Sequence, residues 1–415
     1  MKHAVKSFFT FTSFVIFLLL FSSCSNENPQ KVRIVIWHQK PPGEREVLES
    51  AVKKYMELHP EVKVIVLYKE TEELRSAYII SAVAGKGPDI VYGPSDQIGP
   101  FEILQIIKPL EEIFDSTFID QFDPRGLLWY KGHLYQIGDQ IGNHLFLLYN
   151  KKLVPKPPKT MSELIEIGKK LTKDIDGDGK IDQYGLVWNY TEPFFFIPFL
   201  TGFGGWVMDS LGNPTLNTEA TVKALNFVRE LRDKYKIIPR ECDYNTADAL
   251  FKEGRAGMLI NGPWSIGGYK KAGIDFGIAR IPKVDETGLW PAPMVAIKGY
   301  SINVNVDEEK LPYVVDLFKY LVSPEVQLEH TKVLGTIPTH KIALENEIVK
   351  NDPLIQASIS QMEVGKPMPV VPELRAIWDA MRPYYQAVLG GTMNAEKAAE
   401  EMQKLALKKI EEMNE

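Results

Sequence analysis

The sequence predicts an α/β protein with at least two sheets. Three observations carry that reading. Runs of β-branched residues alternate with amphipathic helical stretches, at about 25–30 residues per unit, a spacing that wraps helices over a parallel sheet. The same alternation returns in the second half of the chain. And 415 residues are too many for one ordinary core, so two domains are expected.

Taken in order, KVRIVIW (Lys31 to Trp37) reads as a buried strand. REVLESAVKKYMELHP follows, with Val47, Leu48, Val52, Tyr55, Met56 and Leu58 near helical spacing and Pro60 as its stop. VKVIVLY (Val62 to Tyr68) is a second strand, Leu74 to Val83 a second helix, and GKGPDIVYGPSD a third strand with its turn. Later come HLFLLYN (His144 to Asn150) as a strand, MSELIEIGKKL as a helix, and AGMLING (Ala256 to Gly262) as a strand. YVVDLFKYL is a helix, and so is the segment from Asn394 to the end.

The first residues stand apart from this pattern. Lys2 and Lys6 form a positive start, and Phe8 to Phe21 is an apolar stretch too short for a typical spanning helix of about 20 residues. Ser22, Ser23 and Cys24 follow, which resembles a bacterial lipoprotein signal cleaved before a lipidated cysteine. The alternative is a plain secretory signal with an incidental cysteine. Residues 1–23 are thus expected as a leader and 24–31 as a tether, with the chain exported and lipid-anchored, facing the periplasm or the cell exterior. Cutting after residue 23 removes two lysines and no acids, so the net charge moves from -6 to -8. That balance excludes a nucleic-acid binder, which needs a basic face. Only Cys242 then remains, so no intrachain disulfide forms.

GPDIVYGPSD, YNKKLVPKPPKTMSEL, EPFFF, FKEGRAGMLINGPW and MPVVPELRAIWDAMR occur in that order. Together they resemble the maltose-binding family, the extracellular (periplasmic) solute-binding proteins that feed ABC sugar importers. The resemblance implies a two-lobe periplasmic-binding-protein fold (type II), each lobe a mainly parallel sheet flanked by helices, with hinge strands between lobes. The expected lobes are 32–142 with 296–342, and 143–295 with 343–415, with crossings near His144 to Asn150 and Pro293 to Ile297. It implies a maltose, malto-oligosaccharide or related carbohydrate in the cleft, with the permease subunits of an ABC importer as partners.

The chemistry of such a ligand explains TEPFFFIP. A pyranose offers a face of C–H groups to an aromatic ring and a rim of hydroxyls to acids, amides and guanidinium groups. By resemblance, Phe194, Phe195, Trp264 and Trp378 are sugar-facing rings. Asp96, Glu192, Arg382 and Asn143 are hydroxyl partners, while Phe196 is core. Five places depart from the family pattern, one of them Asn143, which falls where an acid contacts the sugar. Pro41 and Pro42 stand where an acid and a lysine are expected, with His38, Gln39 or Lys40 as replacements. Gly93 replaces a stacking tryptophan, Gln97 an arginine, and Asp379 an aromatic residue.

DIDGDGKIDQYG (Asp174 to Gly185) follows the D-x-D-x-D-G calcium-loop pattern, with Asp174, Asp176, Asp178 and Asp182 as ligands. Gly185 stands where a bidentate glutamate is expected, and the alternative is an acidic turn. No cofactor is otherwise required. An enzyme is not expected: there is no G-x-S-x-G, HExxH or P-loop, and nothing marks Asp96 and Glu192 as a glycosidase pair. A receptor for a non-sugar solute (peptide, polyamine or metal complex) on the same fold is the alternative function.

Overall fold

The structure is a computed structural model that describes residues 31–414. The expected leader, Cys24 and nearly all of the tether lie outside the described residues. Among the described residues, no helix is long and apolar enough to cross a membrane.

In chain order the strands are β1 Val32–His38, β2 Val62–Tyr68, β3 Ile90–Pro94, β4 Leu127–Tyr130, β5 His133–Ile141 and β6 Phe146–Asn150. They continue with β7 Tyr184–Val187, β8 Ala256–Asn261, β9 Phe276–Ala279, β10 Met294–Val295, β11 Ile297–Ile302 and β12 Lys366–Pro367. The longer helices are α1 Pro42–Leu58, α2 Thr71–Val83, α3 Met161–Leu171, α4 Glu219–Asp233, α5 Tyr244–Lys252 and α6 Leu311–Leu321. After them come α7 Pro324–Leu334, α8 Pro353–Met362, α9 Glu373–Gly390 and α10 Ala395–Asn414.

The first lobe is a six-stranded sheet in the order β2-β1-β3-β11-β5-β4. β1 lies parallel to β2 and β3, with the helical crossovers that parallel neighbours need. β11, arriving from the far end of the sequence, is inserted antiparallel between β3 and β5. α1, α6 and α7 cover one face. Leu48, Val52 and Tyr55 pack with Val314, Leu317, Phe318 and the strand residues Ile34 and Ile36 in one buried cluster. α2 covers the other face through Leu74, Tyr78 and Ala82.

The second lobe is a four-stranded sheet, β7-β8-β6-β9, and both sheets correct the expectation of mainly parallel strands, since β3–β11, β11–β5 and β5–β4 of the first are antiparallel. In the second, only β7 and β8 pair in parallel; β6 is antiparallel to both β8 and β9. β6 enters this lobe from the hinge and runs away from it, while β8 and β9 run back toward it, so β6 alone takes the opposite sense. α3, between β6 and β7, is locally specified. Thr160 caps it by accepting from the Glu163 amide, Glu163 accepts from the Lys159 amide, and Lys169 and Lys170 sit in its last turn. α9 and α10 close the core. Tyr385 on α9 accepts from the indole of fully buried Trp188 at 3.2 Å.

The backbone passes between the sheets at Ile141–Phe146 and at Val295–Ile297. The crossings touch: the Asn143 amide donates to Ala296 O, and the Ile141 amide to Ile337 O. His144, expected at the start of a strand, precedes β6, which begins at Phe146. It is buried, its ring against Ser358 O at 3.0 Å and Gly142 O. Desolvation lowers its pKa to about 4, so the hinge contains a neutral imidazole.

Candidate ligand-binding cleft

The C-terminal ends of β1, β2 and β3 and the start of β11 form one edge of the first sheet. The ends of β7, β8 and β9 and the start of β6 form the matching edge of the second. The hinge joins these two edges, so the loops that follow the strands face each other. Ligands of α/β folds bind at such edges.

On the second lobe, β8 ends at Asn261 and the chain turns into a short 3-10 helix at Pro263–Ser265. This turn presents Trp264, half-buried, 6.4 Å from the ring of Phe194. Gly262 is required beneath the indole, because a Cβ there would lie 2.2 Å from two of its ring carbons. Tyr244, at the start of α5, lies beside Asn261 and Trp264, and burial raises its pKa. α9 carries Arg375, Trp378, Asp379 and Arg382 along one stripe, as i, i+3, i+4 and i+7 must be. Arg382 donates to Glu192 at 2.9 Å and to Asp379 at 3.3 Å.

The three phenylalanines of TEPFFFIP divide. They form a 3-10 turn, Pro193–Phe196, so successive rings point in different directions. Phe194 is half-buried toward Trp264. Phe196 is fully buried, 4.9 Å from Tyr385. Phe195 is 6% exposed and belongs to the second-lobe core, edge-on to Phe194. Its expected place on the cleft wall is therefore corrected to a support behind Phe194. Trp378 is 7% exposed and belongs to the same core, so its expected sugar-facing place is likewise corrected to a support of the wall.

On the first lobe, Asp96 follows β3. Its Oδ1 is shielded from solvent without a hydrogen-bond partner, and burial and the neighbouring Glu72 push its carboxyl up to about 6, against the pull of Arg75. Gln97 folds back over Gly93, its Oε1 within 2.5 Å of where a Cβ would stand. The amide thus occupies the space of a ring at position 93. Of the three replacements weighed after β1, Lys40 is committed to the interior. It donates to Asp139 at 2.7 Å and lies 3.8 Å above the Tyr92 ring, with no exposure. His38 is buried and held neutral, its pKa lowered to about 4 by desolvation and Lys40. Gln39 retains a shielded, unpartnered Oε1, and Arg45, stacked 3.9 Å over Tyr68, an unpartnered Nε. Shielded polar atoms without partners are costly. Asn143 sits at the hinge crossing, half-buried, with its backbone engaged.

Three residues that sequence reasoning passed over connect the two walls. Glu72 on α2 accepts from Arg75 at 2.6 Å and from Arg375 of α9 at 2.7 Å. Asp96, Gln97 and these three line a cavity of about 20 Å³, near the size that holds a single water.

The acidic loop lies apart. Asp174 accepts from the amides of Gly177 and Gly179, and Asp182 from those of Ile175 and Asp176. Carboxylate oxygens of Asp174, Asp176 and Asp182 converge to within 4.8 Å. Asp178, expected as a ligand, is not in that group and faces Lys180 instead. Gly185 packs on Gly168 in the sheet, where no carboxylate fits.

Comparison with known proteins matches this architecture. Residues 50–357 match the bacterial extracellular solute-binding protein family. A maltotriose-binding protein of Pyrococcus abyssi is 30% identical, over 88% of this chain and 79% of that protein. A galactooligosaccharide-binding protein of Bacillus subtilis is 25% identical, over 92% and 90%. Among solved structures, the maltose/maltodextrin-binding domain of Bdellovibrio bacteriovorus bound to maltotriose is 52% identical. It superposes with a TM-score of 0.89 over 92% of this chain and 100% of that one. The Thermus thermophilus maltotriose-binding protein, bound with maltotriose, is 27% identical, with a TM-score of 0.82 over 91% and 100%. A two-lobe fold with a hinge, aligned throughout with sugar-binding relatives, makes this chain a member of the bacterial extracellular solute-binding protein family.

Proposed function

We propose that this protein captures a short malto-oligosaccharide in the interlobe cleft and delivers it to the membrane permease of an ABC importer. The observation that carries this is the grouping on the second lobe of Trp264 and Phe194 with Trp378 and the Glu192–Arg382 pair: stacking faces beside hydroxyl-binding charges. Trp264 and Phe194 stack on the C–H faces of the sugar, with Trp378 closing the wall behind them. Glu192 and Arg382 take hydroxyls from the same side, and Asp96 and Gln39 do so from the first lobe. Contacts to both lobes favour the closed state, because ligand shifts the equilibrium only by its differential affinity for that state. The closed shape is what the permease recognises. The protein itself performs no chemistry on the sugar.

The chain is anchored outside the membrane through lipid on Cys24. Replacing Cys24 by Ala should release processed protein from the membrane fraction, and retention of the processed form there would overturn the anchor. The Asp174–Asp182 loop holds a calcium ion through Asp174, Asp176 and Asp182, a donor set of hard oxygens suited to that cation.

Titration calorimetry with maltose, maltotriose, maltotetraose, a galactooligosaccharide and a peptide pool tests the reading. Tight binding should be confined to the malto-oligosaccharides, and Trp264→Ala should lower affinity roughly tenfold to a hundredfold. Tight binding of the galactooligosaccharide or peptides alone would replace it.

A further inference from the structure

We propose that Glu72 and Arg375 form a clasp between the lobes. It holds the closed cleft without touching the ligand, and so contributes equally to the affinity for every sugar. The identity of the ligands rests on the function proposed above; the clasp itself rests on the geometry below.

The two residues belong to different bodies. Glu72 is in the first turn of α2, whose Leu74, Tyr78 and Ala82 are packed into the first lobe. Arg375 is in the first turn of α9, whose Leu374, Ile377 and Met381 are packed into the second. Arg375 Nη1 donates to Glu72 Oε1 at 2.8 Å, and Nη2 reaches Oε2 at 2.7 Å. Both oxygens are engaged fork to fork, the arrangement that gives an ion pair geometric specificity.

Its surroundings separate this pair from an incidental surface contact. A cation in the first turn of a helix opposes the helix dipole, so α9 gains nothing locally from Arg375. Each partner is braced within its own lobe: Glu72 by Arg75 at 2.6 Å, and Arg375 by Asp379 at 3.4 Å. Asp379 in turn is bonded by Arg382, which holds Glu192. Charges of alternating sign thus run from α2 to the sugar-facing wall. The one link that breaks when the lobes part is Glu72–Arg375. The other interlobe ion pair among the described residues, Lys271–Glu46, is a single contact at 3.5 Å between side chains 80% and 67% exposed, whereas Arg375 and Glu72 are 28% and 48% exposed. A pair at that exposure is modest in strength and sensitive to salt.

The test combines a double-mutant cycle with a readout of lobe closure. Calorimetry with maltose, maltotriose and maltotetraose is run on the parent, Glu72→Gln, Arg375→Gln and the double variant, at low salt and in 1 M salt. X-ray scattering follows each protein without ligand. Each single variant should lose affinity about threefold to tenfold, by the same factor for all three sugars. The double variant should lose no more than the worse single. High salt should weaken the parent and leave the variants nearly unchanged, and the ligand-free variants should scatter as more open particles. Unchanged affinity in both singles, additive losses, or a loss that varies with sugar length would overturn the clasp. If the parent binds none of these sugars, the proposed function fails on its own. The scattering then decides the clasp: variants as compact as the parent overturn it, and more open ones support it.

Discussion

Replacing Gly262 by Ala tests the aromatic wall with the smallest possible change. The backbone at 262, at φ −124° and ψ −179°, is open to any residue. The added Cβ would stand 2.2 Å from Cη2 and Cζ3 of Trp264 and 2.7 Å from Cε3, and those are its three nearest contacts. Carbon atoms settle at about 3.5–4.0 Å, so the indole must retreat by more than about 1 Å or rotate away from Phe194. The fold loses little, because the ring is half-buried at a rim and can move. The binding wall loses its orientation, and a stacked ring is worth on the order of 1–3 kcal/mol. Calorimetry with maltotriose should therefore show affinity falling about tenfold or more, with a melting temperature close to that of the parent and an altered tryptophan emission. Trp264→Ala supplies the reference. If Gly262→Ala binds like the parent while Trp264→Ala does not, ring orientation is not what the sugar reads. If both bind like the parent, the wall lies elsewhere.

Other perturbations act through groups away from that ring. Asp139→Ala leaves the buried Lys40 ammonium without its ion-pair partner, so denaturant unfolding should show a loss of about 3–5 kcal/mol. Asp96 should make sugar affinity rise with pH through about 6, as its carboxyl ionises to accept a hydroxyl, and Asp96→Asn should flatten that profile. The same raised pKa means the folded state holds a proton that the unfolded chain has released. Between the ordinary carboxyl value near 3.8 and about 6, this group's contribution to stability falls as pH rises. A chelator should lower the melting temperature if the acidic loop holds calcium as proposed, and Asp176→Ala should remove that sensitivity; no chelator effect in the parent would leave a plain turn.

What could be read from the sequence was what is decided locally. β2 and α3 fall where period and caps place them, because Val62–Tyr68 alternates in a parallel core and Thr160 and Glu163 cap their own helix. β11 was not readable as a strand. Lys298 and Gly299 interrupt its apolar run, and Lys298 is tolerated inside only because Glu44, far away in sequence, bonds it at 2.9 Å. The grouping proposed as the second-lobe wall could be read in part, since Glu192, Phe194, Trp264 and Arg382 sit in short distinctive segments that the fold brings together. Phe195 misled because a 3-10 turn, not a strand, sets which ring faces out. Glu72, Arg75 and Arg375 read as solvated helix charges. Their meaning lies in the opposite lobe, and no window of sequence contains both.

The insertion of β11 between β3 and β5 also governs how the molecule comes into being. Until residue 302 has been made, the first sheet is split into two unjoined halves, each with a bare edge of unpaired backbone groups. The whole of the second sheet, β6 to β9, is synthesised within that interval. A chain halted anywhere in it has open edges suited to pairing with another chain, and the late, long-range closure of the sheet slows folding through loop entropy. Chaperone dependence of nascent chains should accordingly persist until the strand Ile297–Ile302 has left the ribosome, and then fall.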